Sequence, residues 1–122
     1  MEKYSCAFNI PLMRYVNVML MKAEIFNKQG HPEQAIPLIN EIRAKHGNMP
    51  AMKGNTQAEV QAQIEHERII EFPLESYRWY DLRRWGKLKE ALGGFSDRQF
   101  EAGKHEFFPI PKWEIDANSA VN

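Results

Sequence analysis

Between Leu12 and Gln29, apolar side chains fall on nearly every side of one helical period. Val16, Met19, Leu20, Ala23 and Phe26 share one face, Leu12, Val18, Met21 and Ile25 another, and Gly30 follows as a stop signal. A helix that is apolar nearly all round must be covered twice, so the spacing predicts a long helix packed between two neighbours. Arg14, Asn17, Lys22 and Glu24 interrupt the run, which falls short of the roughly 20 apolar residues needed to span a bilayer. At 122 residues the chain is one domain at most, on a scale of roughly 100–200 residues per domain. A chain of this size struggles to cover both faces, and by itself it is expected to dimerise, aggregate or order incompletely.

A second helix is expected from Pro32, which suits the first helical position, through Ala35, Leu38, Ile39 and Ile42 to His46-Gly47. It should run antiparallel to the first. Pro37 lies inside it, and because proline donates no backbone hydrogen bond the first turn is expected to kink or the helix to start later. Gly47 to Asn55 carries two glycines, a proline and two asparagines without periodicity and reads as a loop. Thr56 and Glu59 have the spacing of a capping box, opening a third helix through Val60 and Ile64 to about Phe72, where Pro73 interrupts it. A fourth helix is expected over roughly Ser76 to Leu92, closed by Gly93-Gly94. Beyond it lie a polar irregular stretch to Lys104 and an extended Phe107-Phe108-Pro109-Ile110-Pro111 run. No strand pattern of useful length appears, so the expected class is all-α, with helical hairpins and an irregular extended C-terminal tail.

Ala23, Gly30, Ala35, Ile39 and Ile42 follow the order and spacing of a tetratricopeptide hairpin, in which small residues let two helices approach closely. An ordinary αα-hairpin would show much the same pattern. Only one such unit is visible, whereas solenoid repeats need about three neighbours to bury a continuous core.

Charge narrows the partners. Lys and Arg total 16, as do Asp and Glu, so the basic face that releases counterions from nucleic-acid phosphates is absent. Nucleic acid is not an expected partner. A single cysteine forms no internal disulfide and no Cys-rich zinc site. Cys6 has no apolar signal-peptide core before it, is a poor lipid-anchor candidate, and has no neighbouring His to make it a nucleophile.

Several residues could carry chemistry. Glu67 and Glu71 lie four apart on the third helix and could serve as an acid/base pair in a glycosidase. Arg68, Arg78, Arg83 and Arg84 are close in sequence, however, and cations favour ionised carboxylates where a general acid must keep its proton. Structural ion pairing is the expected role. Glu75, Arg78, Asp81 and Arg84 extend this at i, i+3 spacing. His66-Glu67 opens like a zinc-binding H-E-x-x-H helix, but position 70 is Ile, and His31, His46 and His105 are scattered. Neither a metal nor another cofactor is expected, and Gly93-Gly94 lacks the Lys-Ser or Lys-Thr of a phosphate loop. Tyr77, Trp79, Tyr80, Trp85, Phe107, Phe108 and Trp113 could stack on sugars or bases. Packing, with Arg guanidinium groups laid on the rings, is the expected use.

The run from Glu67-Arg68-Ile69-Ile70-Glu71-Phe72-Pro73-Leu74-Glu75-Ser76-Tyr77 into Arg78-Trp79-Tyr80-Asp81-Leu82-Arg83-Arg84-Trp85-Gly86 resembles the signature near the C-terminus of SusD/RagB-type proteins. Two flanking blocks agree in family order: Asn9-Ile10-Pro11-Leu12-Met13-Arg14-Tyr15 leading into Leu20-Met21-Lys22-Ala23-Glu24, and Phe108-Pro109-Ile110-Pro111-Lys112-Trp113-Glu114-Ile115-Asp116-Ala117-Asn118. The resemblance covers nearly the whole chain. It departs at Ser76 and Tyr77, where that family usually shows Gly-His, at Pro73, where a small helix-compatible residue is common, and at Ile69, where a second Arg often follows Arg68.

The resemblance implies a C-terminal portion, residues 1–122, of a longer tetratricopeptide-containing lipoprotein on the outer-membrane surface of Bacteroidetes-type cells. It implies a non-enzymatic role: capture of glycans or other nutrients for a SusC-type TonB-dependent transporter, over which such proteins sit as a lid. The signal and the lipid-attachment cysteine of family members are not found in this sequence, and their sugar-contacting aromatics come mainly from parts with no counterpart here. No glycan-binding residue is therefore carried over, and the signature reads as scaffold. Its Glu/Arg network is expected to fix the fourth helix on the hairpin, with Phe107 to Ile115 clamped across that helix. The alternative reading is an intracellular tetratricopeptide-like scaffold that binds a peptide in its groove. A hydrolase using Glu67 and Glu71 stands third.

Overall fold

The computed structural model describes residues 12–93, 100–101, 103–118 and 120. Cys6, the 9–11 block and Gly94 lie outside them. The described residues form six helices and no strand, the all-α class that the periodicity predicts: α1 (Tyr15–Lys28), α2 (Pro32–Gly47), α3 (Gln57–Glu71), α4 (Tyr77–Arg84), α5 (Leu88–Leu92) and α6 (Lys112–Ala117). None is long and apolar enough to cross a membrane. The chain divides into two compact units, Met1–Leu74 and Glu75–Asn122.

In the first unit α1 begins at Tyr15, later than the expected Leu12. Arg14 holds the cap position with an extended backbone and turns its side chain toward α3, while Leu12 stays in solvent. At the other end the chain reverses through Gly30 at φ +85, with Gly30 N–H donating to Asn27 O and His31 N–H to Phe26 O. This paired closure needs a left-handed residue, which glycine adopts without a Cβ clash. The helix α2 starts at Pro32 and continues unbroken past Pro37, so the later start does not occur. Pro37 and Glu33 are both at the surface, where water can replace the hydrogen bond that Pro37 cannot donate.

The core is built where small residues meet large ones. Ala23 on α1 and Ala35 on α2 are fully buried with Ile39, and Val60 and Ile64 of α3 complete the cluster, flanked by the half-buried Phe26, Ile36, Leu38 and Met52. Only this side of α1 is covered. Val18, Met21 and Ile25 are exposed, so the two-sided burial expected of the helix is not met within the described residues.

The direction of α3 follows from the segment before it. The 16 residues of α2 span about 24 Å, and nine extended residues, 48–56, reach about 30 Å. Asn48 takes a left-handed conformation at φ +46, and the chain then runs back along α2, with Pro50 O accepting from Arg43 Nε at 2.9 Å and Met52 N–H donating to Asn40 Oδ1 at 2.9 Å. The third helix therefore starts beside the end of α1, parallel to α2 and antiparallel to α1. Its N-terminus carries the predicted capping box: Thr56 Oγ1 accepts from Glu59 N–H, and Glu59 Oε2 accepts from Thr56 N–H.

In the second unit the single helix expected over Ser76 to Leu92 is two. Gly86 at φ +71 breaks it, with Gly86 N–H donating to Arg83 O and Lys87 N–H to Leu82 O, the same closure that Gly30 makes after α1. Asp81, Leu82 and Leu88 are buried here. After the Phe107–Pro111 stretch the tail forms the short helix α6, which the extended reading of the tail omits.

Candidate functional site

The polar residues of the first unit gather where α1 and α3 meet and at the far ends of α2 and α3. Near the end of α1 and the start of α3, Asn27 Nδ2 donates to Gln57 O at 3.0 Å and Gln57 Nε2 returns a bond to Asn27 O at 2.6 Å. Toward the opposite end Arg68 Nη1 donates to Asn17 Oδ1 at 2.8 Å, and its guanidinium lies 5.0 Å from the centre of the Phe72 ring. Both Asn17 and Arg68 are buried, so this bond fixes the sliding register of α1 against α3.

Glu67 and Glu71, the acid/base candidates, are engaged by cations and amides. Glu67 Oε1 accepts from Arg43 Nη1 at 2.5 Å and from Gln63 Nε2 at 2.6 Å, and its side chain is 5% exposed. Glu71 has His46 Nδ1 at 2.9 and 3.0 Å from its two carboxylate oxygens and Arg14 Nη1 at 3.7 Å, while Arg14 Nη2 also donates to the Glu71 backbone carbonyl. The ion-pairing role expected from the sequence is what these contacts provide. The partners differ from those near in sequence: Arg43, Arg14 and His46 come from α2 and the start of α1, positions that only the packing of α3 into the hairpin brings close.

Two open clefts flank this cluster. One, of about 210 Å³, lies between the first turn of α1 and the last turn of α2 and is lined by Arg14, Tyr15, Met19, Ile42, Lys45 and His46, among others. The other, of about 180 Å³, lies between α2 and α3 beside Arg43, Met49, Glu67 and Ile70. Glu41 holds Lys45 at 2.6 Å, and this hydrogen bond raises the affinity of the lysine for its proton. Neither cleft presents a carboxylate free of a cationic partner beside a nucleophile. Among the described residues no group of three or more His, Cys, Asp and Glu could hold a metal ion. His66 is exposed on α3, and His31 pairs with Glu33 at 3.3 Å.

In the second unit Arg84 Nε donates to the buried Asp81 at 2.9 Å. The tail returns over α4: Arg83 lies 4.6 Å from the centre of the Phe107 ring, and the Trp79 and Phe108 rings are tilted with centroids 6.2 Å apart. Guanidinium-on-ring stacking of the kind expected recurs at Arg84 over Trp85. The expected burial of the aromatics is incomplete, since Tyr77, Trp79 and Trp85 are half-buried while Tyr80, Phe107, Phe108 and Trp113 are exposed. Among the described residues of this unit the buried apolar side chains are Leu82 and Leu88, too few to enclose seven large rings.

Comparison with known proteins agrees with this scaffold. The SusD family pattern matches residues 3–122. Two SusD-like proteins of Formosa agariphila are similar, one 39% identical over 70% of this chain and 18% of its own length, the other 31% identical over 88% and 23%. A solved SusD superfamily protein from Bacteroides vulgatus superposes with a TM-score of 0.80 at 36% identity, over 88% of this chain and 25% of that one. The chain thus spans about a fifth to a quarter of the length of these relatives. The ion-paired helical scaffold and a match along almost every residue lead to one conclusion: the chain belongs to the SusD family.

Proposed function

We propose that this chain is the C-terminal, mainly structural portion of a surface-exposed nutrient-binding component of the SusC/SusD type. In this reading the whole protein is held by a lipid anchor at the outer membrane, captures an oligosaccharide or polysaccharide, and hands it to a TonB-dependent transporter without breaking a bond. The observation that carries it is the family match over residues 3–122, combined with the pairing of both candidate catalytic carboxylates with guanidinium groups, Glu67 with Arg43 and Glu71 with Arg14. A glycosidase acid must be neutral and a retaining nucleophile must reach the anomeric carbon. Glu67 is buried against Arg43 and Gln63, whose contacts occupy its carboxylate and block its approach to a sugar. Residues that touch glycan or transporter are not assigned.

Calorimetric titration of the whole protein against a panel of oligosaccharides, paired with an assay for newly released reducing ends, tests this reading. Saturable binding of at least one glycan without release is expected. Release that disappears on Glu67→Gln would overturn the non-catalytic assignment, and absence of binding across the panel would remove the glycan from the proposal.

A further inference from the structure

We draw no further inference here: the strongest candidate, the outer stripe of α1 formed by Tyr15, Val18, Met21 and Ile25, is an apolar helix face open to solvent, and nothing in the structure shows what covers it.

Discussion

Arg43 of α2 and Glu67 of α3 form an ion pair whose side chains are only 10% and 5% exposed, and Arg43 uses its Nε to hold the Pro50 carbonyl of the returning segment. One guanidinium thus joins two helices and the strap that makes them parallel. Removing one member of a covered pair strands the other's charge, which costs about 3 kcal/mol. Glu67→Ala should lower stability by about that amount in a urea titration. The double variant Arg43→Met/Glu67→Met, which leaves no charge behind, should unfold at a urea concentration nearer the parent's than Glu67→Ala does. Equal loss in both would show that the pair contributes attraction well beyond its cost of desolvation.

The turn between α3 and α4 places two side-chain-bearing residues in the left-handed region, Leu74 at φ +64 and Ser76 at φ +63. Each conformation costs about 1 kcal/mol relative to glycine. Leu74 is fully exposed, and the Ser76 side chain makes no capping bond to α4, so little is lost when either side chain is removed. Ser76 is also where the SusD/RagB signature usually has Gly. Ser76→Gly and Leu74→Gly should each raise the melting temperature by about 4 °C, whereas Gly86→Ala, which puts a Cβ on a residue at φ +71, should lower it. A drop on Ser76→Gly would contradict the strained turn.

The capping box gives a pH dependence with a definite sign. The Thr56 hydroxyl, together with the backbone N–H groups of Thr56 and Asn55, holds the Glu59 carboxyl below its ordinary 4.5. A carboxylate whose folded value is depressed stabilises the fold above the unfolded value, and that contribution is lost as pH falls through the folded one. Thr56→Ala should move the Glu59 titration, followed by carboxyl NMR, upward toward 4.5 and lower the melting temperature at pH 7 more than at pH 3. An unmoved Glu59 titration would mean that the box does not form.

Much of the first unit is legible in the sequence because burial there is governed by apolar period. Val16, Met19, Leu20, Ala23, Ala35, Ile39, Ile42, Val60 and Ile64 all fall in the core, and Thr56 with Glu59 marks the start of α3 to the residue. Local pattern carries less where polar groups are buried. Asn17 and Asn27 lie among the apolar residues of α1 yet are covered, because α3 brings Arg68 to Asn17 and Gln57 to Asn27 from more than 25 residues away. The partners of Glu67 and Glu71 were hidden for the same reason. Arg43 lies on α2 and Arg14 just ahead of α1, whereas Arg68, next to Glu67 in sequence, turns to α1 and Phe72. The break at Gly86 has its signal in the glycine itself, whose φ of +71 favours a residue without a Cβ. The exposed outer face of α1 reflects the opposite limit, since the pattern records a demand for cover that the described residues do not meet.

The central claim, a surface-exposed binding component scaffolded by these helices, is tested most directly by protease treatment of intact source cells, with an antibody against this chain as probe and a cytoplasmic marker as control. The account predicts loss of the antibody signal while the marker stays intact. Protection that ends only on lysis would contradict it and place the protein inside the cell.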